Sequence, residues 1–149
     1  MEVARENISD PKPKDGSKLN ILIVEDDFAS FRVLNEYLSE YGDCSVAVNG
    51  TEAVEAFKNA LDKGRPYDVI CLDIMLPEMN GHLVLEQIRQ IKQEYGARQP
   101  DHVEIIMTTA IDDSDDIIKA FKEGCKAYIV KPVTKEKLLG EMRKLSLIK

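Results

Sequence analysis

The sequence lacks any apolar run near the roughly 18 residues that a membrane-spanning helix needs. Its first 18 residues, MEVARENISDPKPKDGSK, also lack the apolar core of a signal peptide. We therefore expect a cytoplasmic protein that makes no direct contact with a membrane.

An excess of positive charge is also missing. The chain carries 20 Lys and Arg residues against 27 Asp and Glu residues, which gives a net charge of −7. Protein surfaces that bind nucleic-acid backbones or anionic lipids carry clustered positive charge instead. The charge balance therefore argues against direct nucleic-acid binding.

Cysteine, histidine, proline and glycine are all scarce. The three cysteines, Cys44, Cys71 and Cys125, form neither a CxxC pair nor a metal-binding spacing with histidine. We expect them to be reduced thiols buried in the core. His82 and His102 have no paired ligand spacing, so we expect both on the solvated surface. Six prolines and eight glycines are too few for a low-complexity chain.

What is present is the composition of an ordinary globular domain. Of the 149 residues, 44% are hydrophobic and 32% are charged, and this length fits one domain with a sizeable core. The start of the chain holds Pro11 and Pro13, mixed charges and almost no apolar periodicity. We expect a flexible tail over residues 1–18 and one folded domain over residues 19–149.

Short apolar runs rich in β-branched residues alternate with segments of helical periodicity. The runs, which are typical of buried parallel strands, are residues 21–24, 45–48, 69–72, 103–107 and 127–130. The other segments carry five apolar stripes at helical spacing: Phe31, Leu34, Leu38 and Tyr41; Val54, Phe57 and Leu61; Val84, Ile88, Ile91 and Tyr95; Ile117, Phe121 and Cys125; and Leu138, Met142, Leu145 and Ile148. This alternation predicts an α/β fold with five parallel strands covered by helices on both faces.

Polar residues follow four of the predicted strands, at the edge of the sheet where α/β proteins bind ligands. They are Glu25, Asp26 and Asp27 after the first strand, Asp73 after the third, Thr108 and Thr109 after the fourth, and Lys131 after the fifth. Clustered carboxylates repel one another unless a cation lies among them, and Mg²⁺ prefers oxygen ligands. The lysine and the hydroxyl suit a second anion, and a phosphoryl group fits that role.

Asp73 is the candidate nucleophile of this cluster. It ends a central apolar strand and can project into the cleft alone, whereas the three acids after the first strand lie where a helix begins. A carboxylate that attacks phosphorus forms an aspartyl phosphate, a known type of covalent intermediate.

Four motifs occur in order along the chain: ILIVEDD at residues 21–27, CLDIMLP at 71–77 with Gly81, MTTA at 107–110 and YIVKP at 128–132. Together they resemble the receiver domain of two-component response regulators, and the likeness covers residues 19 to about 147. The resemblance implies a flavodoxin-like, doubly wound (βα)5 fold with strand order 2-1-3-4-5. It also implies a phosphoacceptor signalling switch in a phosphorelay, rather than an enzyme that acts on other substrates.

The resemblance assigns roles to single residues of this chain. Asp73 resembles the phosphate acceptor, and Asp26 and Glu25 match the acidic pair that holds Mg²⁺, directly and through water respectively. Asp73 itself and the backbone carbonyl of Met75 are the other expected metal ligands. The backbone N–H groups of Met75 and Ala110 are expected to complete the phosphate cradle.

Three further residues match the switching apparatus of the family. Thr109 resembles the hydroxyl that moves onto the phosphoryl group, Lys131 the lysine that pairs with that group, and Tyr128 the aromatic side chain that turns inward when Thr109 moves. A cis peptide bond before Pro132 is also implied. The implied phosphodonor is a sensor histidine kinase or a histidine phosphotransfer protein, while the downstream protein target is unknown.

Two features depart from the usual pattern of the family. The connection from Gly81 to Val103 is longer than usual, which suggests that the third helix runs on before its loop. The chain also ends soon after the fifth helix. It therefore fits either a stand-alone receiver that signals by binding other proteins or a part of a longer regulator.

Three other functions each have a sequence feature against them. A Mg²⁺-dependent phosphatase with an aspartyl nucleophile usually carries a second acid two residues later, where this chain has Met75. An FMN- or nucleotide-binding domain needs a phosphate loop after the first strand, where Glu25 and its acidic neighbours would repel phosphate. A docking module that is never phosphorylated would be expected to lack part of the acid, threonine and lysine set, which is complete here.

Two apolar side chains are expected beside the phosphate. Met75 lies two residues after Asp73, and Ile111 lies two residues after Thr109. Neither side chain can orient an attacking water, and this orientation is an entropic share of the barrier to hydrolysis. We therefore expect the aspartyl phosphate to be comparatively long-lived.

Overall fold

Five parallel strands form one sheet in the computed structural model, which describes residues 18–96, 103–110 and 112–149. The strands are β1 Leu19–Val24, β2 Gly42–Ala47, β3 Val69–Asp73, β4 Glu104–Thr109 and β5 Ala127–Val130. Their order is β2-β1-β3-β4-β5, and each neighbouring pair is parallel. The predicted flavodoxin-like topology is therefore confirmed.

In the described residues, four helices connect the strands and a fifth follows β5, and together they cover both faces of the sheet. They are α1 Phe28–Leu38, α2 Gly50–Asp62, α3 Gly81–Tyr95, α4 Ser114–Lys122 and α5 Lys135–Lys144. Side chains of β1 alternate between two apolar clusters, because successive residues of a strand point to opposite faces. Ile21 packs with α1 and α5, whereas Leu22 packs with α2, α3 and α4.

The central strand β3 explains why the candidate nucleophile is so enclosed. All five of its residues are buried, as expected for a strand with neighbours on both sides and helices on both faces. Asp73 is the last of them, and it pairs in register with Thr108 of β4. The chain then turns through residues 74–80 and enters α3 at Gly81.

Gly81 marks a close approach between the start of α3 and the end of β3. Its backbone N–H donates to the carbonyl of Ile74. A Cβ atom added at this position would lie 2.8 Å from the carbonyl oxygen of Asp73 and 2.8 Å from the Cα of Ile74. Only glycine therefore lets the helix begin this close to the residue that carries the candidate nucleophile.

Several predicted boundaries were wrong by a few residues. β2 begins at Gly42 rather than at residue 45, because it pairs with β1 over its full length. It is a half-exposed edge strand, so no continuous apolar run marks where it begins. α1 ends before Tyr41, and α5 ends before Leu145 and Ile148. All three of these residues still pack against the core as partly buried side chains.

The predicted core stripe of α4 was also wrong in part. Phe121 is 46% exposed, and Cys125 is buried but lies beyond the end of the helix. Of the residues in α4, all of which the structure describes, Ala120 alone is buried. The small Ala120 side chain brings the helix onto the sheet, so that Ile118 and Phe121 face outward.

Other sequence predictions have mixed outcomes. The prolonged third helix is confirmed, since α3 has 15 residues. Cys71 and Cys125 are buried free thiols, as predicted, whereas Cys44 is only half-buried. The predictions for the tail over residues 1–17, for His102 and for Ile111 lie outside the described residues. In the part of the chain that the structure covers, no helix has the length and apolarity to cross a membrane.

Replacement of Gly81 tests the close approach. Gly81→Ala should lower the free energy of unfolding by about 2 kcal/mol, because the new methyl group must displace backbone atoms. Gly140→Ala is the matched control, since Gly140 lies inside α5 with open space around it. That variant should gain about 0.5–1 kcal/mol from its higher helix propensity. Urea unfolding of both variants gives these values, and similar changes in the two would contradict the assignment.

Candidate functional site

Three strands deliver charged side chains to one edge of the sheet. Glu25 follows β1, Asp73 ends β3, and Lys131 follows β5. The two carboxylates are almost inaccessible, with Asp73 4% exposed and Glu25 2% exposed. Because β1 and β3 are neighbours, the parallel topology brings these like charges together in a poorly solvated place.

The Lys131 ammonium lies between the two buried carboxylates. Its Nζ donates to Glu25 Oε1 at 2.9 Å and to Asp73 Oδ2 at 3.1 Å. Burial lowers the pKa of Lys131, but the hydrogen bonds to Glu25 and Asp73 and the charges of these two acids together outweigh it, and the net shift is upward. Burial raises the pKa of Glu25, the hydrogen bond from Lys131 opposes this, and the charge of Asp73 adds to it. Lys131 is thus held as a cation by the carboxylates whose repulsion it offsets.

The three consecutive acids after β1 have different tasks. Asp27 is the N-cap of α1, and its Oδ2 accepts hydrogen bonds from both the backbone N–H and the hydroxyl of Ser30. These bonds lower the pKa of Asp27. Glu25 Oε2 accepts from the Asp27 N–H at 3.2 Å, which fixes the buried glutamate. Asp27 therefore starts the helix, while Glu25 and Asp26 remain for the site.

Carboxylate oxygens of Glu25, Asp26 and Asp73 form a group suited to a metal ion. One oxygen from each residue lies within 4.8 Å of the others. Asp26 is exposed, so the group opens to solvent on that side. An all-oxygen set with one open side matches the preference of Mg²⁺, which keeps several of its waters. The residues present therefore fit the ion that the sequence predicts.

The loop after β3 presents Met75 to the same edge. The Met75 backbone N–H donates to Asp73 Oδ1 at 3.0 Å, and its side chain is largely exposed. Asp73 thus has one oxygen bonded to a backbone amide and the other to Lys131. This arrangement fixes the carboxylate before any ligand arrives.

The structure also brings the predicted switch residues to this end of the sheet. Thr109 is fully buried at the end of β4, and its carbonyl accepts the Lys131 N–H at 2.6 Å. Ala110 follows Thr109 and is exposed. Tyr128 lies on the neighbouring strand β5, half-buried, with its hydroxyl 2.9 Å from Asp116 Oδ2. The peptide bond before Pro132 is cis, as predicted.

His82 was assigned wrongly from the sequence. It was expected to be solvated, but it is 7% exposed, and its ring nitrogens face the carboxyl groups of Asp116 in α4 and of Glu123, the C-cap residue of that helix. The partners, Asp116 and Glu123, lie 34 and 41 residues further along the chain. No local spacing could reveal such contacts. An acid-rich helix that follows the predicted fourth strand was the one available signal.

A cavity of about 420 Å³ opens beside the site, between α1 and the connection from β5 to α5. It is lined by Glu25, Ser30, Val33, Leu34, Tyr37, Lys131, Pro132, Val133 and Thr134. Glu25 and Lys131 belong to both the cavity and the acidic cluster. The surface next to the candidate nucleophile is therefore a mostly apolar groove.

Comparison with protein families gives one match over most of the chain. A family model described as response regulator receiver domain matches residues 21–143. The chain is 30% identical over 138 residues to probable histidine kinase 2 of Oryza sativa subsp. indica, covering 86% of this chain and 13% of that protein. It is 32% identical over 131 residues to the transcriptional regulatory protein CiaR of Streptococcus pneumoniae, covering 88% and 52%. The chain thus spans between an eighth and about half of these relatives.

Solved structures give the same fold. The chain is similar to one in the CheX-CheY-BeF3-Mg complex of Borrelia burgdorferi, with a TM-score of 0.77, 26% identity and coverage of 91% and 96% of the two chains. It is also similar to one in the co-crystal of the Saccharomyces cerevisiae phosphotransfer protein Ypd1 with the receiver domain of Ssk1. There the TM-score is 0.73, the identity is 30%, and the coverage is 86% and 88%.

Removal of the Lys131 ammonium tests its role between the buried acids. Lys131→Met should lower the free energy of unfolding by about 2 kcal/mol in a buffer with chelator, since Glu25 and Asp73 lose their shared cation. Lys144→Met is the control, because Lys144 pairs with Glu141 at the exposed surface, where ion pairs contribute less than about 1 kcal/mol. Equal losses in the two variants would contradict this account of the site.

Proposed function

The chain belongs to the response regulator receiver family of two-component signalling, and on this basis we propose that Asp73 accepts a phosphoryl group from a phosphohistidine. The observation that carries the proposal is the environment of Asp73. It is a buried carboxylate fixed by Lys131 and the Met75 N–H, with oxygens of Glu25 and Asp26 beside it. Receivers are signalling switches rather than enzymes with their own substrates. Phosphorylation of Asp73 would change the surface with which this chain binds other proteins.

The transfer forms one bond and breaks one bond. An Asp73 carboxylate oxygen attacks phosphorus, the bond from phosphorus to the donor imidazole nitrogen breaks, and its electron pair returns to the ring. The ring takes up one proton from solvent as the phosphoryl group leaves, so the products are an acyl phosphate on Asp73 and a neutral histidine on the donor. Because Asp73 already points one oxygen at a backbone amide and one at an ammonium, the reaction needs little reorganisation of the nucleophile.

Mg²⁺ is the proposed cofactor. Glu25, Asp26, Asp73 and the backbone carbonyl of Met75 would hold it, as predicted from the sequence. When bound, the ion supplies positive charge that offsets repulsion between the carboxylates and the phosphoryl oxygens. Without it, an incoming anion would meet two buried carboxylates that share a single ammonium.

Lys131 and two backbone amides hold the new anion. Lys131 bonds to Glu25 and Asp73 in the resting state, and the phosphoryl oxygens give its ammonium a further acceptor. The N–H groups of Met75 and Ala110 supply neutral donors on the flanking loops. These contacts would fix the phosphoryl group and hold it in the site.

The switch proceeds through Thr109 and Tyr128. The Thr109 hydroxyl moves toward the phosphoryl oxygens, and the space that it leaves admits the Tyr128 ring from β5. This movement alters the outer surface of α4, β5 and α5, where Ile118 and Phe121 are already exposed. An unknown downstream protein reads the altered surface.

The phosphatase alternative is weaker for a chemical reason. An aspartyl phosphatase needs a second acid to protonate the leaving group, but Met75 stands two residues after Asp73. Its exposed thioether side chain can neither donate a proton nor orient water. The same reasoning supports a long-lived phosphate, unless a separate phosphatase or transfer back to a histidine removes it.

The phosphodonor would approach over α1. A sensor histidine kinase or a histidine phosphotransfer protein must bring its phosphorylated ring to Asp73, so its surface must cover the neighbouring groove. Val33 on α1 lines that groove, and Phe28 at the start of the same helix is a further exposed apolar side chain. Burial of these side chains would stabilise the encounter without any charged contact. We place this reaction in the cytoplasm.

Phosphorylation of Asp73 can be measured by intact-mass spectrometry with acetyl phosphate as donor. The wild type should gain one phosphoryl group in Mg²⁺, whereas Asp73→Asn should gain none, because an amide cannot attack phosphorus. Asp68→Asn is the control, since Asp68 is a second buried acid, at the opposite end of β3. A mass gain that persists in Asp73→Asn, or in excess chelator, would refute the proposed acceptor or the metal requirement respectively.

The proposed docking groove has its own test. Val33→Asp should slow transfer from a phosphorylated histidine phosphotransfer protein by about tenfold or more, because a charge would be buried at the interface. It should leave phosphorylation by acetyl phosphate unchanged. Leu83→Asp is the matched control, since Leu83 is 44% exposed against 42% for Val33 but lies on α3, across the sheet. Equal slowing in both variants would contradict docking over α1.

A further inference from the structure

His82 is the second residue of α3, and its side chain contacts α4. Its Nδ1 forms a hydrogen bond with Glu123, and its Nε2 lies 2.8 Å from Asp116 Oδ1. The imidazole side chain is 8% exposed, and the two carboxylate side chains are about one-fifth exposed. A buried ring is thus enclosed between two partly buried acids on the next helix.

The two contacts connect one ring to two acids. Nδ1 faces Glu123 and Nε2 faces Asp116, so each ring nitrogen has a carboxyl partner. Asp116 lies in the first turn of α4, and Glu123 is the C-cap residue of that helix. The three side chains therefore form a hydrogen-bonded triad that links α3 to both ends of α4.

The triad matters because α4 has little other attachment. Ala120 is the one buried residue of that helix, all of whose residues the structure describes; Ile117 is half-buried, and Ile118 and Phe121 face outward. Helices are usually held by a buried apolar stripe. Here the hydrogen bonds from the two acids to His82 add a polar contact that holds the helix.

Asp116 carries the effect of the triad to Tyr128. One of its oxygens bonds to His82, and the other accepts the Tyr128 hydroxyl at 2.9 Å. The Asp116 carboxylate can point at Tyr128 because its other oxygen is fixed by the imidazole. In the proposed switch the Tyr128 ring moves toward Thr109, and this movement is taken to break the hydroxyl bond to Asp116.

We propose that His82, acting through Asp116, holds the Tyr128 ring in its present position and α4 against the sheet, and so sets the balance between the resting and switched forms. The inference rests on the proposed function, since Tyr128 is taken to turn inward when Asp73 is phosphorylated. A contact made only in the resting form opposes the switch by its full contribution. His82 is therefore a positioning residue that lies outside the phosphate site.

Loss of the triad should make the switched form easier to reach. By linkage, a ligand that binds the switched form then binds more tightly. Beryllofluoride with Mg²⁺ serves as the phosphoryl mimic, and its affinity is measured by isothermal titration calorimetry. Both His82→Gln and Asp116→Asn should raise this affinity on the order of tenfold, which is the effect of about one charge-assisted hydrogen bond.

A double-mutant cycle distinguishes coupling through Tyr128 from general loosening. Tyr128→Phe removes the hydroxyl that Asp116 holds, so His82→Gln should have little further effect on affinity in that background. Tyr95→Phe is the matched control, because the Tyr95 hydroxyl bonds to Asp62 and links α3 to α2 instead. In the Tyr95→Phe background, the full effect of His82→Gln should persist.

A second measurement follows Tyr128 directly. The ring resonances of Tyr128, followed by NMR in the unliganded protein, should shift in His82→Gln and in Asp116→Asn but not in Tyr95→Phe. The direction should be toward the resonances of the wild type bound to beryllofluoride. Asp116→Asn replaces one oxygen with an amide of the same size, so it keeps the test open if His82→Gln folds poorly.

The outcomes separate the two proposals. If the wild type does not bind beryllofluoride with Mg²⁺, the proposed function fails, and the Tyr128 resonances alone still decide the coupling to His82. If the wild type binds it but the His82 and Asp116 variants bind equally well, the role of His82 is refuted. An affinity gain of the same size with and without the Tyr128 hydroxyl would also refute it.

Discussion

The Lys131 ammonium, placed between Glu25 and Asp73, is the interaction on which the site depends. The parallel order of β1 and β3 forces two acids into one poorly solvated corner. A cation is needed there before any ligand arrives. It comes from the end of β5, two strands away from β3, and only a long side chain can reach so far. The fold thus holds its most reactive group in an arrangement that is already balanced in charge.

Much of this architecture could be predicted from the sequence because it rests on local signals. Continuous apolar runs marked the buried strands, and the acids that follow them necessarily meet at one edge of a parallel sheet. The predicted start of β2 was wrong because this edge strand is partly exposed to water and therefore needs no continuous apolar run. Phe121 was assigned to the core because helical spacing does not show which side of a stripe meets the sheet, and the small Ala120 made that contact instead. The triad of His82 escaped prediction, since its members meet only after the chain has folded.

The structure has two groups of polar and charged side chains: Lys131 with Glu25 and Asp73, and His82 with Asp116 and Glu123. The first group lies at the end of the sheet beside Asp26, whose carboxylate is exposed, so this group is open to solvent on one side. Between α3 and α4, His82 is buried and its two acids are partly buried. Tyr128, which bonds to Asp116, lies on the strand that also leads to Lys131. In the proposed switch, this short strand connects the two groups.

The two edge strands of the sheet affect how readily the protein aggregates at high concentration. An unpaired edge strand offers backbone hydrogen bonds to any other chain, which is a common route to aggregation. At one edge, β5 has only four residues and runs into Pro132, which has no N–H to donate. At the other edge, β2 carries the exposed charge of Asp43. Both edges are thus poor templates for further strands, and this favours solubility at high concentration.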